Sequence, residues 1–133
     1  MERYKYLLEA ARTAAEAAYC PYSKFRVGAA VLLDNDVVIT GSNQENASYS
    51  LTICAERVAL NYAKSQYPTA NVLAIAIASP STEKLVSPCG ACRTVMTEVA
   101  MRQGIDFTVV MSGSEIVTKT TSELMPLAFE LGR

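Results

Sequence analysis

Apolar positions in the first twenty residues return every three or four places. Tyr4, Leu7, Leu8, Ala11, Ala15 and Ala18 form one stripe, and this spacing predicts a helix over 2–19. Cys20-Pro21 is its expected stop, because the residue before a proline is pushed out of helical geometry. Two apolar runs follow, 27–33 and 37–40, with Asp34-Asn35-Asp36 between them as the turn of a hairpin. Residues 41–49 are polar and irregular, as in a loop. A second helix is expected from 52 or 53 to about 65. The uniformly apolar stretch 73–78 suits a strand covered on both faces.

Ser87 and Pro88 suit the N-cap and first position of a third helix. That helix is expected to run to 103 and to stop at Gly104. Strands are predicted over 107–111 and, more weakly, over 116–120 after a Ser112-Gly113-Ser114 turn. A short helix near Ser122 follows. Strands alternating with helices imply an α/β layered domain. No repeat, low-complexity segment or linker divides the 133 residues, so one domain is expected.

Composition narrows the function more than the fold. Half the residues are apolar, 19% are charged and the net charge is −1. No cluster of Lys and Arg offers the counterion exchange by which proteins grip nucleic acid, which argues against a polynucleotide as the main substrate. No apolar stretch approaches a membrane span. The amphipathic N-terminus lacks the features of a signal peptide, which makes the cytoplasm the expected location. Four cysteines in such a chain point to metal binding or catalysis before disulfides.

The chain has no histidine. A transition-metal site must therefore be built from Cys, Asp and Glu, and thiolates within that set select zinc. Two segments carry the candidate chemistry, Cys54-Ala55-Glu56 and Pro88-Cys89-Gly90-Ala91-Cys92. If both open helices, the helix N-termini favour the thiolate forms of their cysteines. Cys89 and Cys92 lie three apart on one face of a helix turn, and Cys54 can supply a third sulfur. Three protein ligands leave the fourth tetrahedral position to water, the layout of a catalytic zinc. Glu56 can sit beside the metal without ligating it and exchange protons with that water.

Other readings compete. Cys89-Gly90-Ala91-Cys92 has the form of a redox pair, although a thioredoxin-type motif follows the first strand of its domain and this one lies two thirds along. Cys20 as a fourth ligand would close the site into a structural one, but after an alanine-rich helix it reads better as a small buried residue. A non-catalytic zinc module has no use for Glu56.

The blocks AYCPYSKFRVGAAVL, GSNQENASYSLTICAER, SPCGACR and ELMPLAF, in that order and spacing, closely resemble the small homotetrameric cytidine deaminases over nearly the whole chain. This is the three-cysteine variant of the zinc deaminase pattern, with a non-ligating glutamate. The resemblance implies a three-layer α/β/α fold with a mixed five-stranded sheet. It implies hydrolysis of cytidine and 2′-deoxycytidine, with one zinc per subunit held by Cys54, Cys89 and Cys92. Water made acidic by zinc would yield its proton to Glu56 and add to C4 of the base. Phe25 matches an aromatic that packs on the pyrimidine, and Asn43 and Glu45 match the pair that reads the ribose hydroxyls. Ala55 matches a backbone N–H donor to the base carbonyl. Ala47, Tyr49 and Phe129 match residues that reach a neighbouring subunit's site.

The chain departs from the family at Thr94, where Gln is usual, and at Gln44, where an aliphatic residue is usual. A deaminase of another aminated heterocycle, such as a blasticidin-type antibiotic, would use the same metal chemistry and differ only in the pocket. Zinc with three thiolates carries a formal negative charge, which works against acidifying water. Arg57 and Arg93, each adjacent in sequence to a site residue, are the candidates to offset it through charge-assisted hydrogen bonds to sulfur.

Overall fold

The computed structural model describes residues 2–131. The strand that organises it is β3, Val72–Ala78, whose side chains are buried except that of Leu73. Its alternation sorts by size. Ala74, Ala76 and Ala78 join a cluster with Leu7 and Ala11 of α1, Glu2–Ala14. Ile75 and Ile77 join the larger cluster that contains Ala59, Leu60 and Ala63 of α2, Ala55–Gln66, and Met96, Val99 and Ala100 of α3, Gly90–Gln103. Small residues on one face let α1 lie close, and bulkier ones on the other fill the space under two helices.

Around β3 the sheet runs in the order β2-β1-β3-β4-β5. Strand β1 is Gly28–Leu33, β2 Val38–Ser42, β4 Thr108–Met111 and β5 Val117–Thr120. Only β3 and β4 are parallel, joined by a crossover through α3; the other pairs are antiparallel. The expected three-layer arrangement with a mixed five-stranded sheet is therefore present. The β1–β2 hairpin turns at Asp34-Asn35-Asp36, where Asp36 adopts φ 69° and the Asn35 side chain accepts from the Val37 N–H. The short α4, Thr121–Leu124, opens on a capping box between Thr120 and Glu123.

Four sequence expectations shift. The second helix, expected from 52 or 53, begins at Ala55, because the Ile53 backbone pairs with Gln44. The first helix stops at Ala14, followed by a 3-10 turn over Ala15–Ala17, rather than running to 19. The Arg26 guanidinium accounts for this by capping the carbonyls of Ala15, Glu16 and Ala18, while the Tyr19 backbone pairs with Asn43 and Glu45. The loop expected from 41 begins later, since β2 continues to Ser42. The third helix begins at Gly90, with Cys89 rather than Ser87 as its N-cap. The Val86 N–H donates to the Ser112 carbonyl, which holds the approach to Pro88 extended. Gly104 ends that helix as expected, in the left-handed region at φ 77°.

Gly41 positions the site. A Cβ there would lie 2.7 Å from the Ala59 nitrogen and 3.0 Å from the Ala55 carbonyl oxygen. The backbone of α2 rests directly on β2, and this contact fixes where the N-terminus of α2 points. No helix among the described residues is long and apolar enough to cross a membrane.

Candidate metal and active site

Cys54 and Cys89 are the N-cap residues of α2 and α3, both with extended backbone, and Cys92 is the third residue of α3. The two helix starts meet on the same face of the sheet. There the sulfurs of Cys54, Cys89 and Cys92 all lie within 4.8 Å of one another, and those of Cys54 and Cys89 are 3.9 Å apart. Zinc–sulfur bonds of about 2.3 Å in a tetrahedron place sulfurs about 3.8 Å apart, so the three residues fit a zinc ion. Cys20 is buried but does not belong to this group among the described residues.

The protons in the cluster are unevenly held. Cys54 is drawn down to about 5, first by the hydrogen bond from the Cys92 thiol and then by those from Arg57 and Cys89, against a burial that raises it. Cys92 is pushed up, because it keeps the proton it shares with Cys54 and is fully buried. The shift favours the thiolate at Cys54, the form that would hold a metal, and the remaining thiol protons would be released on metal binding. Arg57 Nη2 donates to the Cys54 sulfur at 3.5 Å. Its Nε is buried without an acceptor, so the side chain serves the sulfurs despite one unsatisfied donor.

Glu56 follows Cys54 by two residues and is 5% exposed. Burial pushes its carboxyl up to about 7, and the Cys54 thiolate adds to the effect, while Cys92 and Arg57 oppose it. A carboxyl near neutrality beside a metal site suits an exchangeable proton.

Arg93 goes elsewhere than the sequence suggested. Its Nε donates to the Pro88 carbonyl at 2.9 Å and its Nη1 to the Leu124 carbonyl at 3.3 Å. It ties the segment before α3 to the end of α4 and leaves the sulfurs to Arg57. The Thr94 hydroxyl bonds back to the Gly90 carbonyl within its own helix. The Gln44 amide lies 3.3 Å from the Ser42 hydroxyl.

Residues 43–45 connect the metal site to a second constellation. The Gln44 backbone pairs with Ile53, the residue before Cys54, and Asn43 and Glu45 pair with Tyr19 on the other side. The side chains of Asn43 and Glu45, both buried, hold the segment that carries Phe25. Asn43 donates to the Phe25 carbonyl at 2.8 Å and accepts from the Val27 N–H at 2.9 Å. Glu45 accepts from the N–H groups of Tyr22 and Ser23 and from the Ser23 hydroxyl. Phe25 itself is 38% exposed. Ala55 stands at the first position of α2, where its N–H has no partner within the helix. Ala47 and Tyr49 are exposed, with Tyr49 edge-on to Tyr22. Phe129 is 82% exposed beyond α4. Sequence reasoning missed Ser23 and Gly41. A glycine inside a strand signals close backbone approach, but Ser23 carries no such signal.

Residues 1–107 match the family model described as the cytidine and deoxycytidylate deaminase zinc-binding region. A cytidine deaminase from Halalkalibacterium halodurans is 47% identical over 123 residues, covering 92% of this chain and 91% of that one. The crystal structure of a cytidine deaminase from Burkholderia pseudomallei superposes with a TM-score of 0.84 at 40% identity, covering 93% of this chain and 97% of that one. A blasticidin-S deaminase from Bacillus cereus is more distant, 28% identical over 113 residues. The family match spans both cysteine segments and the glutamate between them, and the likeness to relatives extends over nearly the whole fold: this chain belongs to the cytidine and deoxycytidylate deaminase family.

Proposed function

We propose that this chain is a zinc-dependent cytidine deaminase, converting cytidine and 2′-deoxycytidine with water to uridine and 2′-deoxyuridine and releasing ammonia. The observation that carries this reading is the convergence of three cysteine sulfurs within 4.8 Å beside a buried glutamate. Zinc held by Cys54, Cys89 and Cys92 supplies the Lewis acidity that makes an attacking water acidic. Glu56 takes a proton from that water and delivers it to N3 of the base, which makes C4 electrophilic. The water oxygen adds to C4. Glu56 then takes the proton of the new C4 hydroxyl and passes it to the amino group; the C4–N bond breaks as the C4 carbonyl forms, and ammonia leaves.

The remaining residues orient the nucleoside. Phe25 packs against the pyrimidine, and the Ala55 N–H donates to its carbonyl oxygen. Asn43 and Glu45 read the sugar hydroxyls, and the Glu45 carboxylate disfavours a 5′-phosphate. Arg57 offsets the charge of three thiolates around zinc. Replacing it by Gln removes that offset, and kcat is expected to fall about tenfold or more with weaker zinc retention, as for other residues bonded to metal ligands. Wild-type values of both would remove Arg57 from this role.

The described chain leaves Ala47, Tyr49 and Phe129 open to solvent, which suits contacts with neighbouring copies. We infer a homotetramer with sites shared between subunits, residues 1–133 forming one catalytic domain in each, acting in pyrimidine salvage in the cytoplasm. The substrate is tested by comparing initial rates on cytidine, 2′-deoxycytidine, cytidine 5′-monophosphate and blasticidin S. The two nucleosides should be turned over and the nucleotide should not. Preference for blasticidin S would replace this reading with that of an antibiotic deaminase.

A further inference from the structure

Ser23 stands among the hydrogen bonds that hold the segment between the first helix and β1. Its hydroxyl accepts from the Phe25 N–H at 3.1 Å. This approach depends on Lys24, which takes a left-handed φ of 59° and is fixed by its N–H donating to the Cys20 carbonyl at 2.9 Å. A hydroxyl has one proton to give. With Phe25 supplying a donor to its oxygen, the Ser23 proton is directed to Oε2 of Glu45.

The carboxylate can be counted in the same way. It offers about four acceptor sites. Oε1 takes the N–H groups of Tyr22 at 3.0 Å and Ser23 at 3.1 Å. Oε2 takes the Ser23 hydroxyl, and among the described residues no second donor reaches it. Glu45 is buried, and these bonds, the Ser23 hydroxyl foremost, hold its carboxyl below the usual range. A fixed carboxylate with one acceptor site to spare recognises a single hydroxyl donor in one direction.

We propose that Ser23 is a positioning residue for sugar recognition: its hydroxyl, oriented by the Phe25 N–H, aims the last free lone pair of Glu45 at a hydroxyl of the nucleoside sugar. The inference rests on the reading of Glu45 as a sugar-binding residue. The Ser23 hydroxyl bonds to Glu45 and to the Phe25 N–H and to none of the three clustered cysteines, so its loss should act on binding and spare the chemical step.

The test uses zinc-loaded Ser23→Ala, Ser23→Thr and Glu45→Gln proteins, with KM and kcat for cytidine and kcat/KM for 2′,3′-dideoxycytidine, which lacks both ring hydroxyls. Loss of one bond to a charged acceptor should raise the cytidine KM of Ser23→Ala about tenfold, with kcat within about twofold. Ser23→Thr, which keeps the hydroxyl, should restore KM. The dideoxynucleoside should not distinguish Ser23→Ala from wild type. Should Ser23→Ala lose its zinc, Ser23→Cys, with a weak donor of similar size, serves the same comparison. An unchanged cytidine KM, an equal loss on the dideoxynucleoside, or no recovery with threonine overturns the proposal. Glu45→Gln separates the two levels. If it raises the cytidine KM while Ser23→Ala does not, only the role of Ser23 falls. If it leaves KM unchanged, the sugar-binding reading of Glu45 fails and that of Ser23 fails with it.

Discussion

Glu56→Gln should leave zinc bound and lower kcat by about 10³- to 10⁴-fold, the upper range for a lost general acid–base group. The substitution keeps the size and hydrogen-bonding shape of the side chain but removes the exchangeable proton. Glu56 is not among the three clustered sulfur ligands, so the metal has no reason to leave. It lies at the second position of α2, beside the Cys54 and Cys92 sulfurs, where a proton can pass between water and substrate. Removing it should not harm the fold. A buried carboxyl whose folded pKa is raised from 4.5 to about 7 costs stability as pH rises through that interval, and nothing below it. Chelator-treated Glu56→Gln protein should therefore melt like wild type near pH 4.5 and above it at pH 8. A variant that keeps more than about a tenth of wild-type kcat would remove Glu56 from the proton path.

Cys92→Ala should lose both metal and activity. Cys92 is fully buried and lies in the three-sulfur cluster with Cys54 and Cys89. Changing a mere neighbour of a metal ligand costs about 10–100-fold in affinity, so removing a ligand should cost more than about a hundredfold. Zinc content after gel filtration reads this directly, and added zinc should not rescue turnover. Cys20→Ala is the informative partner, since Cys20 is buried outside the sulfur cluster. It should retain zinc and kcat. Loss of zinc from Cys20→Ala would mean a closed, four-sulfur structural site and would exclude the catalytic reading.

The cysteine and glutamate pattern was legible because each half is local. Cys54 and Glu56 open one helix and Cys89 and Cys92 another, and helix starts leave marks in sequence. The absence of histidine then left sulfur as the metal-binding group. Convergence of the halves depends on how α2 and α3 pack, and only the sheet order and the glycine contact under α2 supply that. The arginines show the limit of adjacency. Arg57 and Arg93 sit equally close to site residues in sequence, yet Arg93 is captured by the Pro88 carbonyl and by the Leu124 carbonyl at the end of α4, where helix carbonyls lack partners within the helix. Helix starts were misplaced where a distant partner claimed the backbone, as Ser112 does at Val86. Asn43 and Glu45 stood out only by resemblance. Their bonds to residues 22–27 cross about twenty residues of chain, and no local pattern marks such a pairing.

The most direct test is cytidine turnover, followed by absorbance loss and ammonia release, in protein stripped with a chelator and titrated back with zinc. Activity should be absent at the start, rise in proportion to bound zinc and level off at one ion per chain, while the Glu56→Gln protein binds the same zinc and stays silent. Full loading without cytidine turnover, or turnover that persists after zinc is removed, would contradict the assignment.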